Sequence, residues 1–391
     1  VASTPPNRRC LRRQEHDHPH LPLRALHLAA RILVLPQPPR RREQARPVDV
    51  VPVVRQSARR TSKEEERMIE MGFWTRRKVL VTGGAGFVGS HLVDLLNSQG
   101  AEVRVADNLS RGRRVLPGTL TGDLRDLEQA LIAAQRQEVV FHLAARVAGI
   151  QYNRTHQRTM WADNVRINST VLEAALMAGV EKYIFTSTAC IYPHDAAVPT
   201  PEAEGNRGAP EPTNLGYGWA KRLGEQEAQW ASQEHKSMQM VVVRPFNAYG
   251  CRDYDDPATS HVIPALIRKV LADDEPVTVW GSGKQTRAFL HVKDFAEGLM
   301  RIAESATDSA PINLGHDNEV SIKELMEMIL EITGQPTREV VYDTDMPEGY
   351  PRRAADTTRL REVTGWVPHT KLFYGLSEVI DEIAARRSPR G

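Results

Sequence analysis

Tyr217 and Lys221 stand four residues apart in Tyr217-Gly-Trp-Ala-Lys221. On a helix such positions share a face, so an ammonium can be brought beneath a phenol. A nearby cation lowers a phenol from its ordinary value of about 10, and Tyr217 then becomes a usable acid/base for a hydroxyl or a carbonyl. The spacing alone is common on exposed helices and gains its meaning from the residues upstream. Thr82-Gly83-Gly84-Ala85-Gly86-Phe87-Val88-Gly89 spaces glycines as G-x-x-G-x-x-G, and Phe185-Thr-Ser-Thr-Ala-Cys-Ile-Tyr-Pro193, between the two motifs, places Thr188 and Cys190 at a strand end.

The glycine segment lies between a short apolar run, Lys78 to Thr82, and a helical pattern, Gly86 to Ser98. In that context Gly83 and Gly86 permit a tight turn against a pyrophosphate, Gly89 lets helix and strand approach, and the helix N-terminus favours the anion. Asp107 ends the next strand, eighteen residues after Gly89, where a carboxylate accepts hydrogen bonds from the adenosine ribose and repels the extra phosphate of NADP. Arg111, Arg113 and Arg114 follow closely and soften that preference. NAD is the expected cofactor.

The elements needed to position these residues alternate. Strands are expected at 78–82, 102–106, 139–143, 183–186 and 238–243, and helices at 86–98, 124–135, 161–179 and 217–233. This alternation predicts an α/β fold, a Rossmann-type doubly wound parallel sheet over 77–247. Beyond Asn247 the pattern becomes irregular, with helices near 261–272, 293–304, 321–333 and 372–386. It predicts a smaller C-terminal α/β substrate lobe over 248–386, part of which returns to the first domain, with the binding cleft between the two. Residues 1–67 are rich in Arg and Pro, show neither period, and read as a disordered extension.

Composition excludes several classes. A formal net charge of +2 with 26% charged residues carries no concentrated basic face, so nucleic acid is not an expected partner. No apolar run approaches the roughly 20 residues that span a bilayer. Three cysteines, Cys10, Cys190 and Cys251, without metal spacing suit a reducing cytoplasm and imply neither a disulfide framework nor a metal.

Taken together these motifs resemble the extended short-chain dehydrogenase/reductases, over about 77–385. In that family His142-Leu-Ala-Ala145 corresponds to a strand lining the cofactor, which implies contacts from Leu143 and Ala145. Asp123-Leu124 corresponds to the adenine contact, with Phe87 and Val88 in the turn. Thr188 stands where the family places the hydroxyl that hydrogen-bonds the reacting oxygen. Two sugar-nucleotide classes fit best, GDP-mannose 3,5-epimerase and GDP-L-fucose synthase, because both carry a Cys in a C-I-Y-P string, here Cys190-Ile-Tyr-Pro193. Ser260-His-Val-Ile-Pro-Ala265 resembles the fucose synthases, which makes His261 the second acid/base; the epimerase has Lys at this place. The resemblance further implies substrate contacts from Gly149, Asn247, Trp280, Gln285 and Arg287, with Lys269 and Arg353 on the diphosphate.

The chemistry is then proton exchange beside a 4-keto group. Oxidation at C4 acidifies the hydrogens on C3 and C5, and Cys190 and His261 invert a centre from opposite faces. Each has a plainer reading, Cys190 as a small buried residue and His261 as a polar helix start. Asp107 favours a redox-neutral NAD enzyme, so 3,5-epimerisation of a GDP-mannose-type substrate ranks ahead of the epimerase-reductase. A 4-epimerase needs only Thr188, Tyr217 and Lys221. A dehydratase would carry an acid where Ala189 stands, and a non-catalytic NAD-binding scaffold would be expected to lose Tyr217 or Lys221. A homodimer is the family's usual assembly.

Overall fold

The computed structural model describes residues 72–387 except 113, 255, 257–259, 273–275 and 347–348. The extension expected over 1–67 and Arg113 lie outside the described residues. Seven strands form one parallel sheet: β1 (Lys78–Thr82), β2 (Glu102–Asp107), β3 (Leu120–Thr121), β4 (Val139–His142), β5 (Lys182–Thr186), β6 (Gln239–Pro245) and β7 (Ile312–Leu314). Their order is β7-β6-β5-β4-β1-β2-β3, with every neighbouring pair parallel.

The central strands are apolar on both faces because both are covered. Val79 and Val81 join Phe141, Ile184 and Val243 in one core, whereas Leu80 joins Val140, Phe185 and Val242 in the other. The first core is covered by helix α1 (Phe87–Ser98) through Leu92 and Leu96, and by the helix Val292–Ser305 through Phe295 and Leu299. The second is covered by α2 (Leu127–Ala134), α3 (Gln157–Ala178) and α4 (Leu215–Glu234). A separate core gathers Ile263, Ile267, Val277, Leu325, Ile329 and Leu376, from the helices Val262–Leu271, Ile322–Ile332 and Leu372–Arg387 and a short strand beside them. The α/β fold with a doubly wound sheet is therefore as expected. Among the described residues no helix is long and apolar enough to cross a membrane.

Boundaries differ for local reasons. The helix expected from 124 begins at Leu127, because the Asp126 carboxylate accepts the Glu128 and Gln129 N–H groups and caps it. The helix expected from 161 begins at Gln157 and ends at Gly179, whose φ of 70° closes it. β7 has three residues, too few to show a period, yet it pairs with β6 and returns the chain to the first sheet after the lobe begins. The strand order reverses between β1 and β4, which opens a crevice at their carboxyl ends.

Candidate active site

The first wall of that crevice is the glycine turn. Gly83 has a φ of 69°, and a Cβ there would lie 2.9 Å from the Ala144 nitrogen. A Cβ on Gly89 would run into the Gly83 carbonyl oxygen. Gly84 also has no room for a side chain, since a Cβ would meet Val105 at 2.8 Å. Gly86 has ordinary extended backbone and caps α1, so its smallness rather than its dihedral freedom matters here. Phe87 and Val88 open the helix. The turn is thus a cradle that side chains would fill, set at a helix N-terminus, and it fits a dinucleotide pyrophosphate.

Asp107 is buried at the end of β2, and its carboxylate accepts the Ala85 N–H at 3.1 Å and the Leu109 N–H at 2.8 Å. It therefore braces the turn as well as facing the crevice. Of the basic residues beyond it, Arg114 pairs with Asp94, while Arg111 donates to the Val147 carbonyl and stacks on Tyr254. Asp123 is paired with Arg125, Leu124 is buried, and the Leu143 N–H donates to the Thr82 carbonyl, which leads the chain on to Ala145.

A chain of hydrogen bonds crosses the core behind the turn. The Ala144 N–H donates to the Thr82 hydroxyl oxygen at 3.1 Å, and that hydroxyl lies 2.9 Å from His142 Nδ1. His142 Nε2 lies 3.2 Å from the Asn168 oxygen, and the Asn168 amide nitrogen donates to the Ala220 carbonyl. Burial, with the Lys221 charge adding to it, holds His142 down at about 3, so the ring is neutral. Asn168 fixes Nε2 as the donor, and the Thr82 hydroxyl consequently donates to Nδ1.

The second wall carries the reactive groups. Thr188 follows β5 and caps a short 3₁₀ turn, its hydroxyl accepting the Cys190 N–H at 3.2 Å. The Tyr217 phenol and the Cys190 thiol lie in the same cluster as this hydroxyl. Lys221 is buried and donates to the Thr186 carbonyl at 2.8 Å, with its nitrogen 4.9 Å from the Phe185 ring centroid. Burial lowers it to about 7.

Here the expected pairing of cation and phenol changes. Burial and the neighbouring Cys190 push the Tyr217 phenol above its usual value, and the ammonium spends its contact on Thr186 instead. At neutral pH Tyr217 is a proton donor.

Cys190 has a partner that the motifs did not single out. Glu211 lies beside it, its N–H donating to the Cys190 carbonyl at 3.3 Å, and burial together with the Glu211 charge raises the thiol to about 11. Glu211 is itself buried and forms an ion pair with Arg353. Arg353 thus reaches inward, beside the thiol. Read alone, Glu211 is an acid between two prolines in Pro210-Glu-Pro212, which signals only a loop.

His261 stands at the start of the helix Val262–Leu271, with Nδ1 2.9 Å from the buried Asp253 carboxylate. Burial alone would lower it, but the Asp253 charge and hydrogen bond outweigh that and raise it.

Of the remaining expected residues, Gly149 caps the turn of helix Ile150–Thr155 and Asn247 donates to the carbonyls of Ala288 and Arg353. Lys269 donates to the Thr278 carbonyl and lies 5.8 Å from the exposed Trp280 ring. Gln285 donates to the Trp280 carbonyl while its own side-chain oxygen is buried with no hydrogen-bond partner, and Arg287 donates to the Tyr350 carbonyl.

Residues 79–315 match the family described as the NAD dependent epimerase/dehydratase family. A putative GDP-L-fucose synthase 2 of Arabidopsis thaliana is 34% identical over 308 residues, covering 78% of this chain and 90% of that one. A UDP-glucose 4-epimerase of Thermotoga maritima, solved with UDP-glucose, has a TM-score of 0.71 and 30% identity, covering 79% of this chain and 99% of the other. A GDP-L-fucose synthetase of Naegleria fowleri bound to NADP has a TM-score of 0.70 and 25% identity, covering 81% and 96%. The relatives named as fucose synthases favour the epimerase-reductase over the redox-neutral 3,5-epimerase, which reverses the ranking drawn from Asp107 alone. With the glycine cradle and the Tyr217–Lys221 helix built as described, this chain belongs to the NAD dependent epimerase/dehydratase family, the extended short-chain dehydrogenase/reductases, as a nucleotide-sugar epimerase or reductase.

Proposed function

We propose that the chain is a 3,5-epimerase and 4-reductase acting on a GDP-linked 4-keto-6-deoxy sugar. The observation that carries this reading is the clustering of Cys190 and Tyr217 about Thr188, whose hydroxyl accepts the Cys190 N–H at 3.2 Å. A group for proton exchange at carbon is thereby placed beside the acid that serves the C4 oxygen. A nicotinamide held over the glycine cradle would supply the hydride. Thr188 and Tyr217 hold the C4 carbonyl oxygen and polarise it, which acidifies the hydrogens on C3 and C5. Cys190, once its proton is lost, is the base, and its high proton affinity makes it a strong one. His261, whose proton the Asp253 carboxylate helps to hold, is the acid for the other face. Tyr217 then delivers its proton to the C4 oxygen as the carbonyl is reduced.

The test uses the chain with GDP-4-keto-6-deoxymannose and reduced cofactor in heavy water. Deuterium should enter C3 and C5, with one cofactor oxidised per product. Exchange without cofactor oxidation would instead establish the redox-neutral 3,5-epimerase, the reading that Asp107 favours. Oxidation without exchange would remove Cys190 and His261 from the chemistry.

We also infer that the cofactor is NAD rather than NADP. The extra phosphate would lie against the buried Asp107 carboxylate, and Arg111 and Arg114 are engaged elsewhere. NADH should bind at least about tenfold more tightly than NADPH, a modest expectation for like charges at close range. Fluorescence titration of the two reads this directly, and equal or reversed affinities would reject the assignment.

A further inference from the structure

Cys190 is faced from four sides by groups that act on its proton. Thr188 contacts it from its own turn, Glu211 from the loop before α4, Tyr217 from α4 itself, and Tyr350 and Arg353 from the C-terminal part of the chain. Glu211 is the negative charge among them, tied to the backbone of Cys190 itself. Its placement is over-determined. The Thr213 hydroxyl donates to one carboxylate oxygen at 2.5 Å, Arg353 is paired with the other, and the Glu211 N–H donates to the Cys190 carbonyl at 3.3 Å. Glu211 is thus held beside Cys190 by both backbone and side chain.

We infer that Glu211 is a positioning residue for Cys190: anchored by Arg353 and Thr213, it holds the thiol in place and governs the proton on the sulfur. This rests on the proposed role of Cys190 as the base, and it adds the group that makes that base strong. A thiol beside a fixed carboxylate keeps its proton more firmly, because ionising would set two negative charges side by side. The thiolate, when it forms, then has the proton affinity needed to take hydrogen from carbon. Arg353 limits the effect by neutralising part of the Glu211 charge, and it stands ready to act on the sulfur if Glu211 is removed.

The test compares the full chain with its Glu211→Gln variant, which keeps shape and removes charge. Iodoacetamide reacts with the thiolate, and peptide mapping by mass spectrometry reads Cys190 separately from Cys10 and Cys251. In the variant the pH midpoint of Cys190 alkylation should fall by at least about one unit, which is about a tenfold faster reaction at pH 8. Cys251 serves as the internal control and should not change. The limb of C3/C5 deuterium exchange that rises with pH should move down by the same amount, which loosened packing would not produce. Glu211→Asp, which keeps the charge, should keep the midpoint closer to the parent's than Glu211→Gln does.

An unmoved Cys190 midpoint in a folded Glu211→Gln variant would overturn the inference. If that variant fails to fold, Thr213→Val loosens the same carboxylate and should move the midpoint in the same direction; an unmoved midpoint there overturns the inference equally. Alkylation needs no substrate, so a failure of the proposed function would show separately, as absent exchange in the parent chain.

Discussion

Replacing Tyr217 by Phe should lower the reduction rate by about 10²- to 10⁴-fold, the range for loss of a positioned general acid. The phenol is pushed upward by burial and by Cys190, so at neutral pH it carries the proton that the C4 oxygen needs, and Phe has none to give. Deuterium exchange at C3 and C5 should fall by less, because a substrate that is already a ketone needs no redox step before its α-protons become acidic. Parallel measurement of cofactor oxidation and of isotope entry by mass spectrometry separates the two. Equal losses in both would mean that Tyr217 acts by polarising the C4 oxygen rather than by delivering the proton to it. Cofactor titration of the variant checks that the glycine turn is intact.

The second large effect is on stability. Glu225 and Arg244 form an ion pair with side chains only 4% and 1% exposed, and two further hydrogen bonds reach Arg244 Nε. Arg244 also donates to the Tyr192 hydroxyl and the Glu202 carbonyl, while the Ser187 hydroxyl, one residue before Thr188, donates to Glu225. Glu225→Ala leaves the guanidinium buried without its counter-charge and should cost about 3–5 kcal/mol. Denaturant unfolding, read as a shift in midpoint at unchanged slope, measures it. Glu225→Leu combined with Arg244→Met should cost less than Glu225→Ala alone, since neither charge then remains; a double variant that is worse than the single would place the stability in the hydrogen bonds rather than in the charge balance. Because Ser187 adjoins Thr188, the single variant should also loosen the catalytic turn.

Local patterns made some of this legible from the chain alone. The glycine turn, the strand end at Asp107, the four-residue spacing of Tyr217 and Lys221, and the strand–helix alternation all depend on residues close in sequence, and the structure forms the turn, strand and helix they imply. What escaped depends on distance. Glu211 acquires meaning only beside Arg353, 142 residues further on, and only with Cys190 next to both. The Lys221 side chain shares a helix face with Tyr217, as its spacing requires, but which neighbour the ammonium contacts is decided by the Thr186 carbonyl on another strand. Asp107 could be read as a ribose contact, whereas its second task, holding the Ala85 N–H, appears only once β1 and β2 lie side by side. β7 was missed because three residues cannot display a period.

The hydrogen bonds from Ala144 through Thr82, His142 and Asn168 to Ala220 all point the same way. Each donor has one acceptor and the imidazole stays neutral down to about pH 3, so this linkage between the cofactor turn and the catalytic helix is silent to acid over the working range. It passes position and not charge, like a tie-rod between two walls. A histidine-like inflection in the pH–rate profile therefore has its source elsewhere, at Lys221, whose burial brings it to about 7, or at His261 under the influence of Asp253.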